Sequence, residues 1–377
     1  MRARKPNLLD RSRAFLDAYT HGLRREDVQR LFTRDTREAY RFFARNVDEA
    51  SLRDLSWHRR WFTRARLFFW AFTLRLSPAR RLLYGVALLL CLYGFLQLSQ
   101  GLHGVWSLFA GFLLTNLLVL LEVTDRLSLK NDLEIAREIQ YAMLPQAKYD
   151  SPTFEAFGLT RPANTVGGDF YDVLPLPDGR VVVTIGDVAG KGSPAALLMA
   201  LLLAMFRTLV DEGLEAAALA ERLNRQVCRH APASRFITLF FAACDPATGR
   251  LVYVNAGHMP ALLRRRDGTF EHLTGGGVAL GMFEHSTYEA HEARMEPGDT
   301  LVLYSDGVTE AEDQHGQPFE ESGLEHVVAA RANASPTDLA LSILRVVEAY
   351  AQETYLADDL TVLVVARKVD PAPPCAN

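Results

Sequence analysis

Val166-Gly167-Gly168-Asp169-Phe170-Tyr171-Asp172 is the stretch that decides the fold, and Gly186-Asp187-Val188-Ala189-Gly190 follows it closely. Tyr304-Ser305-Asp306-Gly307 and Asp358-Asp359-Leu360-Thr361 complete a set of four acidic clusters. Most of these clusters border an apolar, strand-like run, so that a fold could bring them to one place. Carboxylates that close together repel each other unless cations neutralise them, and hard divalent ions prefer oxygen ligands. The pattern predicts a metal-dependent hydrolase of phosphate esters.

Three of the acids lie where a strand begins or ends. Asp187 follows the apolar run 181–185 and precedes a loop of small residues, a position that fits a ligand bridging two metal ions. Asp306 lies in the same context after residues 301–304, and Asp358 precedes the last strand-like run. An aspartate beside a glycine is common in turns, so no single one of them is informative. Their combination favours a shared site.

The composition is that of a folded protein with two oppositely charged parts. At 377 residues, with 49% hydrophobic and 23% charged residues, the chain is long enough for more than one domain and too apolar to be disordered. Lys and Arg predominate in residues 1–81 although the net charge is −4, so the remainder is strongly acidic and offers no basic footprint for nucleic acid. The cysteines lack metal-type spacing and indicate a reducing compartment: Cys91, Cys228, Cys244 and Cys375.

Two uncharged apolar runs, Leu82–Leu98 and Val105–Leu121, predict a two-helix transmembrane hairpin over residues 82–121. A buried hairpin in a soluble fold is the alternative. Basic residues before the first run place the N-terminus in the cytoplasm, and two crossings return the C-terminal part to the same side. We therefore expect an inner-membrane protein with two spans. Residues 1–81 would form a basic cytoplasmic helical region, either lying on anionic membrane lipid or packed on itself.

Residues 122–145 predict a linker helix, because the segment is rich in charge and contains neither Gly nor Pro before Pro145. Apolar or uncharged side chains recur at alternating spacings of four and three: Leu129, Leu133, Ala136, Gln140 and Met143. This spacing is typical of a short coiled-coil seam and predicts a weak homodimer. A solitary connecting helix packed on the next domain is the alternative.

Beyond Pro145 the pattern changes to short strands and hairpins. Asp178-Gly179 separates two strand-like runs, and residues 245–249 separate another two. Helices are expected between the strands, near residues 194–209, 215–230, 320–331 and 336–354. Strands mixed with helices, without regular alternation, predict an α+β layered domain over residues 146–368, followed by a tail at 369–377.

The motifs together resemble the PPM (type 2C-like) metal-dependent serine/threonine phosphatases, in particular their RsbU and SpoIIE branch. The resemblance covers about Asp132 to Lys368 and implies a PPM-type layered β-sandwich flanked by helices, preceded here by the membrane hairpin and the linker helix. It rests on Glu138-Ile139-Gln140 with Leu144-Pro145, on Asn255-Ala256-Gly257-His258, and on the four acidic clusters with their flanks Lys191-Gly192 and Val308-Thr309-Glu310.

The resemblance also implies a metal site. Asp187 would bridge two Mn²⁺ or Mg²⁺ ions, and the carbonyl of Val188 would complete one coordination shell. Asp306 and Asp358 would hold the second ion, while Asp169 would act near the first. The ions would activate a water for in-line attack on phosphorus, so that no phosphoenzyme is needed.

Other polar residues near these motifs receive supporting roles. Some relatives carry a His shortly after the bridging Asp, but this chain does not, so the group that protonates the leaving oxygen stays open, with a metal-bound water as the default. Lys191 either binds phosphate or is a solvated loop lysine. Asp172 and Asp359 are expected to support the acids rather than to bind metal. His258 is expected to bond to backbone, and Gly275–Gly277 to form a flexible loop.

The leading interpretation is a membrane-tethered protein serine/threonine phosphatase. The resemblance implies that its substrate is a phosphorylated STAS-domain (anti-anti-sigma) protein in partner-switching control of a sigma factor. A catalytically silent membrane scaffold with a PPM fold is the alternative, and the intact acids disfavour it. A two-metal nuclease or nucleotide phosphatase is the second alternative, and the acidic balance of the chain disfavours it.

Overall fold

The structure is a computed structural model that describes residues 57–98, 102–232, 235–351 and 358–369. The predictions for the segment before Trp57, for the tail beyond Val369 and for Cys375 lie outside the described residues. The chain divides between Leu127 and Ser128 into two compact units.

The first unit contains α1 (Trp57–Arg75), α2 (Pro78–Leu96) and the beginning of α3 (Leu102–Met143). Small residues let α2 and α3 approach closely, since a Cβ at Gly94 would lie 2.7 Å from the Leu108 backbone nitrogen. Arg80 at the start of α2 pairs with Glu122 at 3.1 Å and with Asp125 at 2.6 Å. Most of the large side chains of this hairpin are exposed, which is typical of helices surrounded by lipid.

Helix α3 is continuous through two segments with different predicted roles. It is one helix of 42 residues, and it contains both the second apolar run and the predicted linker helix. The helix ends at Met143, two residues before Pro145, as expected because proline cannot continue a helix.

The second unit contains two antiparallel sheets. In spatial order, one sheet is β1-β2-β12-β11-β7-β8 and the other is β10-β6-β5-β4-β3, with β9 parallel to β6. We call these sheet A and sheet B. Their strands are β1 (Lys148–Asp150), β2 (Phe154–Arg161), β3 (Phe170–Pro175), β4 (Val181–Val188), β5 (Ile237–Cys244), β6 (Arg250–Ala256), β7 (Ala261–Arg264), β8 (Phe270–Leu273), β9 (Gly276–Gly277), β10 (His291–Arg294), β11 (Thr300–Tyr304) and β12 (Leu360–Arg367).

Helices cover the outer face of each sheet. Helices α4 (Ser193–Asp211) and α5 (Ala216–His230) share one core with sheet B, and α7 (Glu320–Ala330) and α8 (Pro336–Tyr350) share another with sheet A. A third core, between the sheets, holds Ile185, Phe240 and Leu363. Side chains along a strand alternate between its two faces, so that β4 contributes to two cores at once. The result is the predicted α+β layered sandwich, with helices on both faces of the sheet pair.

Candidate functional site

Asp187 lies at the end of β4, which a loop of small residues follows. Close approach of a second loop fixes its surroundings: a Cβ at Gly168 would lie 2.9 Å from the Val188 carbonyl oxygen and 3.1 Å from Asp187 Oδ1. Only glycine leaves room for both oxygens. The Gly-Gly stretch therefore serves to bring the Asp169 loop against the Asp187 strand end.

Asp169 is the most enclosed acid of the site, with 3% of its surface exposed. Its Oδ2 is buried and has no hydrogen-bond partner among the described residues. Burial raises the pKa of Asp169 well above its usual value, and the nearby Asp187 and Asp359 carboxylates raise it further. An orphaned carboxylate oxygen beside two other acids is costly unless a cation occupies the space between them.

Several acids lie close enough to the Asp187 carboxyl to change its pKa. Burial is the main cause that raises its pKa to about 6, and the Asp306, Asp358 and Asp359 carboxylates add to the shift, while a hydrogen bond with Asp169 opposes it. The four acidic clusters of the sequence therefore converge on one region.

Asp306 and Asp358 approach from the ends of sheet A. Asp306 begins the short helix α6 (Asp306–Thr309), and its pKa is raised by burial, by Asp358 and by Glu310. Asp358 lies two residues before β12 begins and pairs with Lys191, whose Nζ lies 3.0 Å from its Oδ2. The loop that follows Asp187 therefore supplies a cation to the opposite side of the site.

The residues present fit a divalent cation in donor type and in charge. Carboxylate and carbonyl oxygens are the ligands that Mg²⁺ and Mn²⁺ prefer, and both the orphaned Asp169 Oδ2 and the raised pKa of Asp187 are relieved by positive charge. Within the described ranges, no three Asp, Glu, His or Cys side chains already surround one point as the ligands of a bound ion would. The clusters are nevertheless close enough to raise one another's pKa values.

Comparison with known proteins shows which family the chain belongs to. Residues 177–368 match the family described as stage II sporulation protein E (SpoIIE). Phosphoserine phosphatase RsbU of Bacillus subtilis is 30% identical over 245 residues, which cover 64% of this chain and 71% of that protein. The chain belongs to the SpoIIE family. RsbP, a phosphoserine phosphatase of the same organism, is 28% identical, and the match covers 48% of this chain and 46% of RsbP.

Solved structures place this SpoIIE-family chain in the PP2C fold. The RsbU and RsbW domains of a Mycobacterium tuberculosis protein match with a TM-score of 0.52 and 28% identity, covering 59% of this chain and 62% of that one. The SiaA-PP2C domain of Pseudomonas aeruginosa matches in fold, with a TM-score of 0.57 at 23% identity, covering 64% of this chain and 98% of the domain. The predicted family, the α+β fold class and the activity as a protein serine/threonine phosphatase are confirmed.

Asp359 supports the site of this SpoIIE-family phosphatase through backbone contacts. Its Oδ1 accepts a hydrogen bond from the Ala163 N–H, and its Oδ2 accepts one from the Gly168 N–H, each at 2.7 Å. Its carbonyl oxygen accepts a hydrogen bond from the Ser305 hydroxyl at 3.1 Å. Asp359 therefore ties the Asp169 loop to sheet A, which is the supporting role expected from its place beside Asp358.

Gln140 occupies a different environment from the predicted one. The predicted coiled-coil seam would direct it to a partner helix, but its side chain is buried against its own phosphatase domain. Its Nε2 donates to the Gly167 carbonyl at 2.8 Å, and its Oε1 accepts from the Gly167 N–H at 3.2 Å. The prediction for Gln140 was wrong because helical spacing does not distinguish a face that meets another helix from one that meets a loop.

Arg235 contacts the loop that follows Asp187, although no sequence motif predicted this contact. Its Nη1 donates to the Ala189 carbonyl at 2.6 Å, and the Ala189 N–H donates to the Phe236 carbonyl at 2.9 Å. Gly190, with a φ of +103°, packs against the same guanidinium, which leaves no space for a Cβ. Arg235 therefore fixes the loop that follows Asp187.

Two further predictions from the sequence concern Asp172 and the glycines at 275–277. Asp172 is buried and pairs with Arg207 Nε at 2.7 Å, and Arg207 also donates to the Met143 carbonyl at 2.7 Å. Through Arg207, Asp172 therefore links β3 to the end of α3, and its expected role in supporting the acids stays a prediction. The loop expected at Gly275–Gly277 is instead partly a strand, because Gly276–Gly277 pair with the end of β6. The prediction of a flexible loop was wrong there.

Proposed function

We propose that this protein hydrolyses phosphoserine or phosphothreonine with the help of two divalent cations, Mn²⁺ or Mg²⁺. Asp187 would bridge the ions, the Val188 carbonyl would complete one shell, Asp306 and Asp358 would hold the second ion, and Asp169 would act near the first. One observation carries this proposal: within the described part of the chain the buried Asp169 Oδ2 has no hydrogen-bond partner, and the Asp169 carboxyl lies close to that of Asp187, whose own pKa is raised. Such a pair is stabilised by cations.

The residues of the chain have separable tasks in this reaction. When bound, the ions supply activation of a water and neutralisation of the charge that develops on the phosphoryl group. Asp187 and Asp169 give up their protons to bind cations, which happens more readily above the raised pKa of Asp187. Arg235 and the glycines hold the Asp187 loop in place. Lys191, already beside Asp358, adds positive charge where an anionic substrate would approach.

A simple assay tests the proposal. The full-length protein in detergent should hydrolyse an aryl phosphate with Mn²⁺ and lose activity when EDTA is added. Asp187→Asn should remove this activity while the protein remains folded by circular dichroism. A wild-type protein that binds Mn²⁺ but turns over neither the aryl phosphate nor a phosphorylated protein would instead support the catalytically silent scaffold.

For the physiological substrate we propose a phosphorylated STAS-domain (anti-anti-sigma) protein. Two relatives support this proposal: RsbU is named a phosphoserine phosphatase, and the M. tuberculosis relative carries an RsbW domain in the same chain as its RsbU domain. Release of phosphate from a purified phosphorylated STAS protein, but not from an unrelated phosphoserine protein, is the expected result.

We further propose that α2 and the apolar part of α3 anchor the protein in the inner membrane. Among the described residues, Pro78–Leu96 and His103–Met143 are long and apolar enough to cross a bilayer, and 11% and 17% of their apolar windows are buried in the protein. Reporter fusions at both ends of the chain should score as cytoplasmic. A periplasmic signal from either end would contradict two spans.

A homodimer through α3 is our remaining proposal, modified by the structure. Gln140 is unavailable for a seam, but Leu129, Ile135 and Ile139 are all exposed on α3. Apolar side chains on an exposed helix favour association with a second helix. Light scattering of the full-length protein should give the mass of a dimer after correction for detergent, and Ile139→Asp should reduce that mass.

A further inference from the structure

The motif Asn255-Ala256-Gly257-His258 forms the corner where the chain passes from β6 in sheet B to β7 in sheet A. Asn255 fixes this corner, since its Oδ1 accepts from the His258 N–H at 2.7 Å and its Nδ2 donates to the His258 carbonyl at 3.0 Å. Gly257 has a φ of +70°, and a Cβ there would lie 2.6 Å from the Ala279 backbone nitrogen. The corner therefore holds the His258 ring in one position.

The two ring nitrogens of His258 reach different sheets. Nδ1 lies 2.9 Å from Thr238 Oγ1 on β5 of sheet B, and Nε2 lies 3.2 Å from the Tyr304 carbonyl oxygen on β11 of sheet A. A carbonyl only accepts, so Nε2 carries the proton, and Nδ1 of the neutral ring accepts from the Thr238 hydroxyl. Burial lowers the pKa of His258 to about 4, which agrees with a neutral ring at physiological pH.

Thr238 and Tyr304, the two hydrogen-bond partners of the His258 ring, both lie close to acids of the site. Thr238 is paired with Asp187 across β4 and β5, and its Oγ1 lies 3.5 Å from the Asp187 carbonyl oxygen. Tyr304 precedes Ser305 and Asp306 in the chain. The ring of His258 therefore connects the strand pair that carries Asp187 to the strand that leads to Asp306. Because both nitrogens are engaged, the ring has no free proton to give to a leaving group.

We propose that His258 is a positioning residue: by joining sheet B to sheet A, it sets the spacing between Asp187 and Asp306 and thereby the affinity of the site for divalent cations. This inference rests on the proposed function, since a metal site is what the spacing would serve. It also assigns a physical role to the Asn-Ala-Gly-His motif, whose side chains are otherwise outside the reaction.

The test compares two threonines of sheet B in the full-length protein, the half-buried Thr238 and the fully buried Thr184. Thr238→Val removes the hydroxyl that donates to His258, while Thr184→Val removes one that donates to the Phe240 carbonyl at 2.9 Å. Both variants lose one hydroxyl hydrogen bond, so their melting temperatures without metal should both fall, and that of Thr184→Val at least as much because its bond is the more buried one. Thr238→Val should weaken Mn²⁺ binding in titration calorimetry by about tenfold or more. Thr184→Val should leave Mn²⁺ affinity within about twofold of wild type, and Thr238→Ser should restore it.

The outcomes separate this inference from the proposed function. If the wild type binds Mn²⁺ and turns over, but Thr238→Val binds the ion as tightly as Thr184→Val does, the positioning role is overturned while the phosphatase proposal stands. His258→Gln gives a second check: unchanged Mn²⁺ affinity together with loss of one limb of the kcat pH profile would identify a general acid and overturn the role. A wild type without measurable Mn²⁺ binding would contradict the proposed function itself.

Discussion

Asp169, beside sheet B, and Asp358, beside sheet A, are held in opposite ways. Asp169 is almost fully enclosed, and burial is the main cause of the raised pKa of Asp187. Asp358, in contrast, has 42% of its side chain exposed and already pairs with Lys191. We call Asp169 and Asp187 the buried pair after Asp169, and Asp306 and Asp358 the open pair after Asp358, since burial also raises the pKa of Asp306.

This difference indicates how the work of binding cations is divided. Charges in the buried pair are poorly solvated, so each added cation relieves a large unfavourable term. Asp358 in the open pair is screened by water and by Lys191, so its loss costs less. We therefore expect the buried pair to determine whether cations bind at all, and the open pair to adjust how tightly the second one binds.

The largest expected effect separates the two pairs by substitution. Asp187→Asn should lower turnover of an aryl phosphate more than about 100-fold, beyond the range typical of residues that only support a ligand. Asp358→Asn should lower turnover less, and excess Mn²⁺ should restore part of it, because the position is exposed and screened. Activity is measured at several Mn²⁺ concentrations. Equal, unrescued losses in both variants would remove the distinction between the pairs.

A smaller effect is expected at Asp359, which supports the buried pair without belonging to it. Asp359→Asn keeps the side-chain shape but exchanges one accepting oxygen for a donor that faces the backbone N–H of Ala163 or Gly168. Mn²⁺ affinity should fall by about 10-fold to 100-fold, with the fold retained. Calorimetric titration measures this directly. Asp267→Asn, at an exposed turn between β7 and β8, serves as a control and should bind Mn²⁺ as the wild type does.

The pH dependence of stability should have opposite signs with and without metal. The pKa of Asp187 is about 6 in the folded protein, above the ordinary value of an aspartate, so the folded state holds this proton more tightly. Its contribution to stability is therefore present at low pH and is lost as pH rises through about 6. In EDTA, lowering the pH from about 7.5 to 5.5 should stabilise the protein through Asp187 by about 1 kcal/mol.

With Mn²⁺ present, the same change in pH should lower stability, because protons then compete with the cation for the carboxylate. Melting temperatures at both pH values, with EDTA or Mn²⁺, provide the measurement. Asp187→Asn is the control, since it should lose much of the pH slope seen in EDTA. An unchanged slope in that variant would show that other groups cause it.

The last expected effect concerns the helix that leads to the buried pair. Gln140→Ala leaves the N–H and carbonyl of Gly167 without their partners, which should lower the free energy of unfolding by about 1–3 kcal/mol. Glu138→Ala, on an exposed face of α3, should change it by no more than about 0.5 kcal/mol. Denaturant titration compares the two. Equal stability of both variants would show that α3 does not support the Gly167 loop.

Several features of the site were predictable because they depend on local chemistry. Aspartates at the ends of strand-like runs indicated the acids, since strands deliver their terminal residues to one edge of a sheet. The expectation that Asp359 would support rather than ligate followed from its position next to Asp358. The backbone bond of His258 to Tyr304 agrees with its expected structural role, although its second partner, Thr238, lies on a strand that no local pattern connects to it.

The sequence by itself determined the family, the mixed class of the fold, the acidic clusters and the two apolar runs near the N-terminus, because each of these resides in residue type and short-range spacing. The tertiary structure decided which surfaces meet. Helix α4 is as long and as apolar as a membrane span, yet half of its apolar window is buried in the phosphatase core. Gln140 has the spacing of a helical seam, yet it binds the Gly167 loop. Spacing shows which residues share a face of a helix, and only the folded chain shows what covers that face.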